Sequence, residues 1–325
     1  QTGSGKTYTM GSDSRIKDAL DSNGTIKSES AGIAPRAAQA IFDILAERGL
    51  DSNVSLQMFE VYCNNLVDLM VPPKKTTPMD QGPSLKITLA EHSSTGLVQV
   101  DGAKSKRVMS AVDLVNALSD GIQSRTVHAT KMNSESSRSH LVMGVTITTT
   151  NKRTGASTTG KLTLVDLAGS ERVERSGAEG QQLKEAAAIN KSLSALGDVI
   201  NALTSAEGGH VPYRNHPLTM LMSDSVGGSA KTMMLVCSSP AHANVAESVS
   251  SFQFATRCKD VVCGSDPRAA AAEIAKLKAE VARLKGSSRA PPPNRPAPNV
   301  APRGPATLAK RHSRSCLLYT SPSPR

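Results

Sequence analysis

The residues with the most chemistry in them open the sequence, Gln1-Thr2-Gly3-Ser4-Gly5-Lys6-Thr7. Gly5-Lys6-Thr7 is the closing half of a G-x-x-x-x-G-K-[ST] phosphate loop. The loop's first glycine would fall just before Gln1, so the sequence is expected to begin inside its own site. Glycines in such a loop turn successive backbone N–H groups toward phosphate oxygens. Lys6 is placed to reach β/γ-phosphates, and the Thr7 hydroxyl to ligate Mg²⁺. The helix that follows aims its positive end at the anion. G-K-T also occurs in ordinary glycine-rich turns, so the half-motif needs partners further along the chain.

Two segments supply them. Lys161-Leu162-Thr163-Leu164-Val165-Asp166 reads as a hydrophobic strand ending in an acid, the position that holds a Mg²⁺-bound water in phosphate-loop NTPases. Leu167-Ala168-Gly169-Ser170-Glu171 follows it, and a glycine three residues past the acid can set its N–H against a γ-phosphate and lose that contact when the phosphate leaves. Asn133-Ser134-Glu135-Ser136-Ser137-Arg138-Ser139-His140 is a dense hydroxyl run that could supply Mg²⁺ with oxygen ligands and position the attacking water. Alone it would read as a capped Ser-rich turn. Arg138 is a single cation among neutral hydroxyls, and Glu171 is its natural partner. No guanine-reading N-K-x-D motif occurs, since Asn151-Lys152 continues as Arg153-Thr154, which favours ATP over GTP.

The elements that must position these groups follow from periodicity. Residues 11–34 are a polar surface loop, and Pro35–Leu50 is a helix with Ala38, Ile41 and Leu45 on one face. Val54–Tyr62 and Leu85–Leu89 read as strands, and Ala111–Gln123 as a helix. Leu141–Thr150 and Lys161–Asp166 are strands joined by a polar turn around Gly155. Gln182–Leu203 is the longest helical pattern, carrying Leu183, Ala187, Leu193, Leu196, Val199, Ile200 and Leu203. Pro217–Ser225 is a short helix, Thr232–Ser238 a buried strand and Val245–Cys263 a helix. Strands alternating with helices predict a three-layer α/β domain around a mostly parallel sheet.

Composition bounds the rest. The 325 residues carry a net charge of +10, but residues 286–325 hold seven Lys/Arg and no Asp/Glu. The basic pI therefore describes a tail and gives little support to a nucleic-acid partner. That tail also holds nine of the 18 prolines, which predicts disorder, and Ser315–Arg325 reads as translated vector or adapter sequence. Cys63, Cys237, Cys258, Cys263 and Cys316 have no metal-ligand spacing and read as reduced thiols. No apolar run approaches the length of a membrane span. In residues 268–285, Ile274, Leu277, Val281 and Leu284 fall at a and d of two heptads. Glu273 and Glu280 then fall at g, and Lys278 and Lys285 at e, a pattern for a parallel two-stranded coil. A solvated single helix fits as well, and a basic helix binding calmodulin or an acidic surface is a third reading.

Taken together, T-G-S-G-K-T, N-x-x-S-S-R-S-H, D-L-A-G-S-E-R and N-K-S-L-S-A-L-G-D-V-I resemble the kinesin motor domain over Gln1 to about Gly264. The resemblance implies a phosphate-loop NTPase fold with helices on both sides of a central sheet, and it implies that the first strands of that sheet lie outside this sequence. It implies that Gln1, Thr2, Gly3, Ser4, Gly5, Lys6 and Thr7 hold the ATP phosphates, with Mg²⁺ on Thr7, Ser137 and, through water, Asp166. Ser136, Ser137 and Arg138 belong to the first switch, and Asp166, Gly169 and Glu171 to the second. The Arg138–Glu171 pair would close behind the γ-phosphate. Microtubules are the implied partner, with the helix after the second switch on tubulin and Arg172, Arg175, Lys184, Lys191 and Arg214 facing it. Without the resemblance these cations would read as ordinary solvated charge.

Tyr213-Arg214-Asn215-His216 and Leu218–Ser225 resemble the minus-end-directed kinesins with C-terminal motors, particularly the kinesin-like calmodulin-binding group. The sequence departs from the family at Pro217, where kinesins usually carry Lys or a similar polar residue, and at Tyr62-Cys63-Asn64, which replaces Y-N-E. The implied organisation is a motor at 1–264, a short helix or coil at 265–286 that could pair two copies, and a basic tail at 287–325. The implied setting is the cytoplasm and the microtubule cytoskeleton, the spindle included. The fragment by itself is expected to fold poorly and hydrolyse little ATP. A non-motile microtubule crosslinker is the competing function. A nucleic-acid-dependent ATPase is disfavoured by 2% aromatic content.

Overall fold

The computed structural model describes residues 2–21, 25–27, 31–72, 85–131, 136–152, 154–171, 180–205 and 210–261. All of them fall within one compact unit, Gln1–Gly264. The predicted coil and tail lie outside the described residues.

The sheet is built on β1 (Asp51–Tyr62), β6 (His140–Thr150) and β7 (Ser157–Asp166), with β2 (Asn65–Asp68) and β5 (Lys106–Val108) sharing the other edge of β1. A separate two-stranded ribbon pairs β3 (Lys86–Thr88) with β4 (Gln99–Asp101). Alternation assigns each side chain to a face. Leu56, Met58, Leu141, Met143 and Val145 join one core, while Phe59, Val61 and Val142 join the other. The register agrees, since Met58 faces Met143 and Phe59 faces Val142.

Helices cover both faces. On one side lie α2 (Ile33–Glu47) and α3 (Ala111–Lys131), whose Ala38, Leu114, Val115 and Leu118 are buried in the first core. On the other lie α4 (Gln181–Thr204) and α5 (Pro217–Leu221), with Leu196, Val199, Ile200 and Leu218 in the second. Two further helices are α1 (Lys6–Met10) and α6 (Val245–Lys259). The three layers expected from sequence are therefore present. The expected mostly parallel sheet is not what these strands form, because every described ladder is antiparallel. Short connections account for two of these ladders, β1–β2 and β6–β7. Two residues separate β1 from β2 and six separate β6 from β7, far short of the dozen or more a parallel crossover needs.

Thr232–Ser238, expected as a buried strand, has no ladder partner among the described residues. With no strand beside it, its apolar side chains are left open, Met233 at 79% and Leu235 at 47% exposure. The expected loop at 11–34 contains a 3₁₀ turn, Ser14–Ala19, that buries Ile16.

Two local features tie the layers together. Cys63 and Asn64 form the two-residue β1–β2 turn with φ 47° and 69°, the left-handed pair of a type I′ hairpin. Asp224, just beyond α5, accepts from Lys161 Nζ in β7 at 2.7 Å and from the Val98 N–H before β4 at 2.9 Å.

Candidate functional site

The phosphate loop runs into α1 through Gly3 and Gly5, whose φ of 75° and 94° are positive, the region that favours glycine. Thr7, in the first turn of α1, donates its hydroxyl to Asp166 Oδ2 at 2.8 Å, and Ser12 donates to the same oxygen at 2.9 Å. Asp166 ends β7 and is buried. A buried carboxylate among hydroxyls is a hard, all-oxygen donor set of the kind Mg²⁺ takes. Among the described residues no group of three or more His, Cys, Asp or Glu gathers for a softer metal. The two residues predicted to share Mg²⁺ are thus brought into contact across 159 positions of sequence.

Ser137, the other predicted Mg²⁺ ligand, sits in a 3₁₀ turn at Ser136–Arg138. Its carbonyl accepts from the Gly169 N–H at 2.9 Å, so the two switch segments meet backbone to backbone. A Cβ at Gly169 would collide with the Glu171 carboxylate and the Thr2 hydroxyl, so a larger residue would displace the Glu171 side chain from Thr2. The side chain of Ser136, and Gln1, Asn133–Glu135, Arg172 and Arg175, lie outside the described residues.

The expected Arg138–Glu171 pair is not formed. Glu171 accepts from the Thr2 N–H at 2.9 Å and from the Thr2 hydroxyl at 2.5 Å, so it is fastened to the phosphate loop. Burial alone would raise its pKa, but these hydrogen bonds outweigh it and hold the carboxyl below its usual range. Arg138 Nη1 instead donates to Glu185 Oε2 of α4 at 3.0 Å. Glu185 is buried, and its carboxylate lies near the Tyr62 phenol. Burial first, then the neighbouring Glu185 carboxylate, pushes the phenol pKa up.

Behind the first switch lies a buried network that motif reading missed. Arg125 of α3 contacts Glu60 of β1 at 3.4 Å and donates to the Ser139 carbonyl at 2.9 Å, while the Ser139 hydroxyl donates to Glu60 at 2.5 Å. A signal was present, since Leu118, Ile122 and Arg125 share the i, i+4, i+7 face that α3 buries. The same holds for α4. Its buried stripe runs through Glu185, Ile189, Ser192, Leu196 and Val199, whereas the expected apolar residue Leu183 is 47% exposed.

His140, the first residue of β6, is also buried. Its Nδ1 accepts from the Ala168 N–H at 3.1 Å, which leaves the proton on Nε2 to be donated to Ser192 Oγ at 2.6 Å. Ser192 in turn donates to the Ile189 carbonyl. Burial, with His216 and Arg125 nearby, drops the imidazole pKa to about 3, so it is neutral.

Of the predicted track-facing cations, Lys184, Lys191 and Arg214 are exposed. Arg214 donates to His92 Nε2 at 2.7 Å, bringing the β3–β4 ribbon beside the Tyr213–Asn215 turn. Pro217 is the first residue of α5, capped by the His216 side chain, which accepts from the Leu218 N–H at 3.1 Å. The other His216 nitrogen bonds Asn64 at 2.7 Å. A cavity of about 620 Å³ links the nucleotide side to α4 and α6, lined by Lys6, Ala168, Ser170, Asn190, Cys237 and Phe254 among others.

Comparison with known proteins adds the family. Residues 1–261 match the kinesin motor domain. The chain is 43% identical over 288 residues to the rice kinesin-like protein KIN-14I and 42% identical over 287 residues to KIN-14E of Arabidopsis thaliana. In each case 88% of this chain aligns with 21% of the relative, so the chain spans about a fifth of these proteins' length. Among solved structures, a fast kinesin superposes with TM-score 0.69 at 37% identity, covering 82% of this chain and 70% of that one. The C-terminal motor and motor homology domain of Kar3Vik1 superposes with TM-score 0.62 at 34% identity, covering 82% and 62%. With the phosphate loop, both switch segments and the three layers in place, the chain belongs to the kinesin motor domain family.

Proposed function

We propose that the protein is a motor that hydrolyses ATP under stimulation by microtubules and moves along them toward the minus end. The carrying observation is the junction at which Thr7 meets Asp166 while Gly169 donates to Ser137. It places the phosphate loop and both switches around one point, the arrangement a γ-phosphate sensor requires. Similarity to the KIN-14 relatives and to the C-terminal motor of Kar3Vik1 supports the group from whose resemblance the polarity is inferred.

In this reading, the loop from Gln1 to Thr7 cradles the ATP phosphates, with Lys6 as the point charge on them. Mg²⁺, held by Thr7 and Ser137 and by Asp166 through water, would neutralise charge building on the phosphate oxygens. Ser136 and Ser137 position the attacking water, and Arg138 and Glu171 close the site from behind. Catalysis is by positioning and electrostatics, with no covalent intermediate. Loss of the phosphate frees the Gly169 N–H and shifts α4 on tubulin, where Lys184, Lys191 and Arg214, with Arg172 and Arg175, supply the cations. Residues 1–264 form the motor, 265–286 a helix that pairs two copies or meets calmodulin, and 287–325 a basic tail. The setting is the cytoplasmic microtubule cytoskeleton. No described helix is long and apolar enough to cross a membrane.

One observation favours a second reading. Pro217 opens α5 in place of a cation, which weakens track binding and suits a non-motile crosslinker. A gliding assay on the full-length protein decides between them. Filaments moving minus-end directed with ATP support the motor, and bound, stationary filaments support the crosslinker.

A further inference from the structure

We propose that His140 is a positioning residue that carries the state of α4 to the backbone of the second switch, with Ser192 as its contact on the helix. This rests on the motor reading. The imidazole stands directly after the first switch, on the first residue of β6. One nitrogen holds the Ala168 N–H, and Ala168 lies two residues after Asp166 and directly before Gly169. The other nitrogen holds Ser192, near the middle of α4, on its buried face. The Ser192 hydroxyl donates in turn to the Ile189 carbonyl, so every donor in the chain of bonds has an acceptor.

A planar ring held at both ends transmits displacement better than an aliphatic contact would, because neither bond can lengthen without leaving a buried polar group unpaired. If α4 slides or turns, Ser192 moves with it, and the ring must follow or lose a bond. The Ala168 N–H follows the ring, and the next peptide carries the Gly169 N–H that meets Ser137. The coupling is independent of the Arg138–Glu185 contact, which reaches α4 about two turns earlier. His140→Leu would fill the space and cut both connections.

The two arms can be separated chemically in the full-length protein. Ser192→Ala removes the helix arm alone, and ATPase without microtubules is expected to stay within about twofold of wild type. Stimulation at saturating microtubules is expected to fall about tenfold, within the roughly 5- to 150-fold range of ordinary coupling between sites. His140→Asn keeps an acceptor near the Nδ1 position for Ala168 and drops the Ser192 arm, so its stimulation should fall as for Ser192→Ala. Ser192→Thr keeps the hydroxyl and should restore stimulation. A purely structural role would instead lower basal and stimulated turnover together, in step with the melting temperature. Wild-type stimulation in a folded Ser192→Ala protein overturns this inference alone. Absence of stimulation in the wild type overturns it together with the motor reading.

Discussion

Arg138 donates to Glu185 at 3.0 Å while Glu171, its expected partner, is held by both donors of Thr2. Each member of the closing pair is therefore occupied elsewhere, Arg138 by α4 and Glu171 by the phosphate loop. Two exchanges must happen before they meet, and the first depends on α4.

On the motor reading, Arg138→Ala and Glu171→Ala in the intact protein are expected to keep nucleotide binding and lose microtubule-stimulated turnover by roughly 10²- to 10³-fold, because each removes one half of the pair that closes the site and positions its groups. Fluorescent-nucleotide titration and steady-state ATPase measure the two quantities. Normal stimulated turnover in either variant counts against the assigned roles.

The Glu60–Arg125–Ser139 cluster gives a stability prediction. Arg125→Ala strands a buried carboxylate and should cost about 3–5 kcal/mol by denaturant melting. Replacing both charges, Glu60→Met with Arg125→Met, should cost less than Arg125→Ala alone. A double variant that is less stable than the single one would mean that the pair itself is net stabilising.

Cys63 occupies a left-handed position where a side chain costs roughly 1–2 kcal/mol in non-glycine residues, less for Asn. Cys63→Asn suits a type I′ turn and is expected to raise stability by up to about 1 kcal/mol. An unchanged or lower melting temperature would show that the Cys63 thiol contributes contacts worth more than the turn strain.

His140 and His216 both have lowered pKa values, through burial first in each case and nearby positive groups second. The unfolded chain then binds protons that the folded one refuses, so stability falls as pH drops below about 6.5. His140 contributes a loss of about 1.4 kcal/mol per pH unit until pH nears 3. Urea melts between pH 7 and pH 5 should show this slope, reduced in His140→Asn.

Local pattern makes much of this legible in the sequence alone. The half phosphate loop, the two switch motifs and the long helices rest on short spacings, and Gln182–Leu203 differs from α4 by one residue at each end. The β6–β7 hairpin is readable from its polar turn. The antiparallel pairing of β1 with β6 is not, because the two strands lie far apart in sequence and alternation is the same in either sense. The partners of buried polar groups are also hidden. Glu60 meets Ser139 from 79 positions away, and Arg138 meets Glu185 from 47. Resemblance points to Glu171 for Arg138, and only the packing of α4 shows a competitor.

Asp224 has one consequence for how force travels. Its carboxylate pins Lys161, which lies five residues before Asp166 on the same strand, a rise of about 17 Å at strand geometry. A strand is stiff along its length. A pull on the segment after α5 should therefore reach the acid of the nucleotide site as tension in β7, without passing through α4 or the first switch. On the motor reading, Asp224→Asn should slacken that tether and lower the load at which the optically trapped full-length protein stalls, while leaving unloaded turnover near wild type.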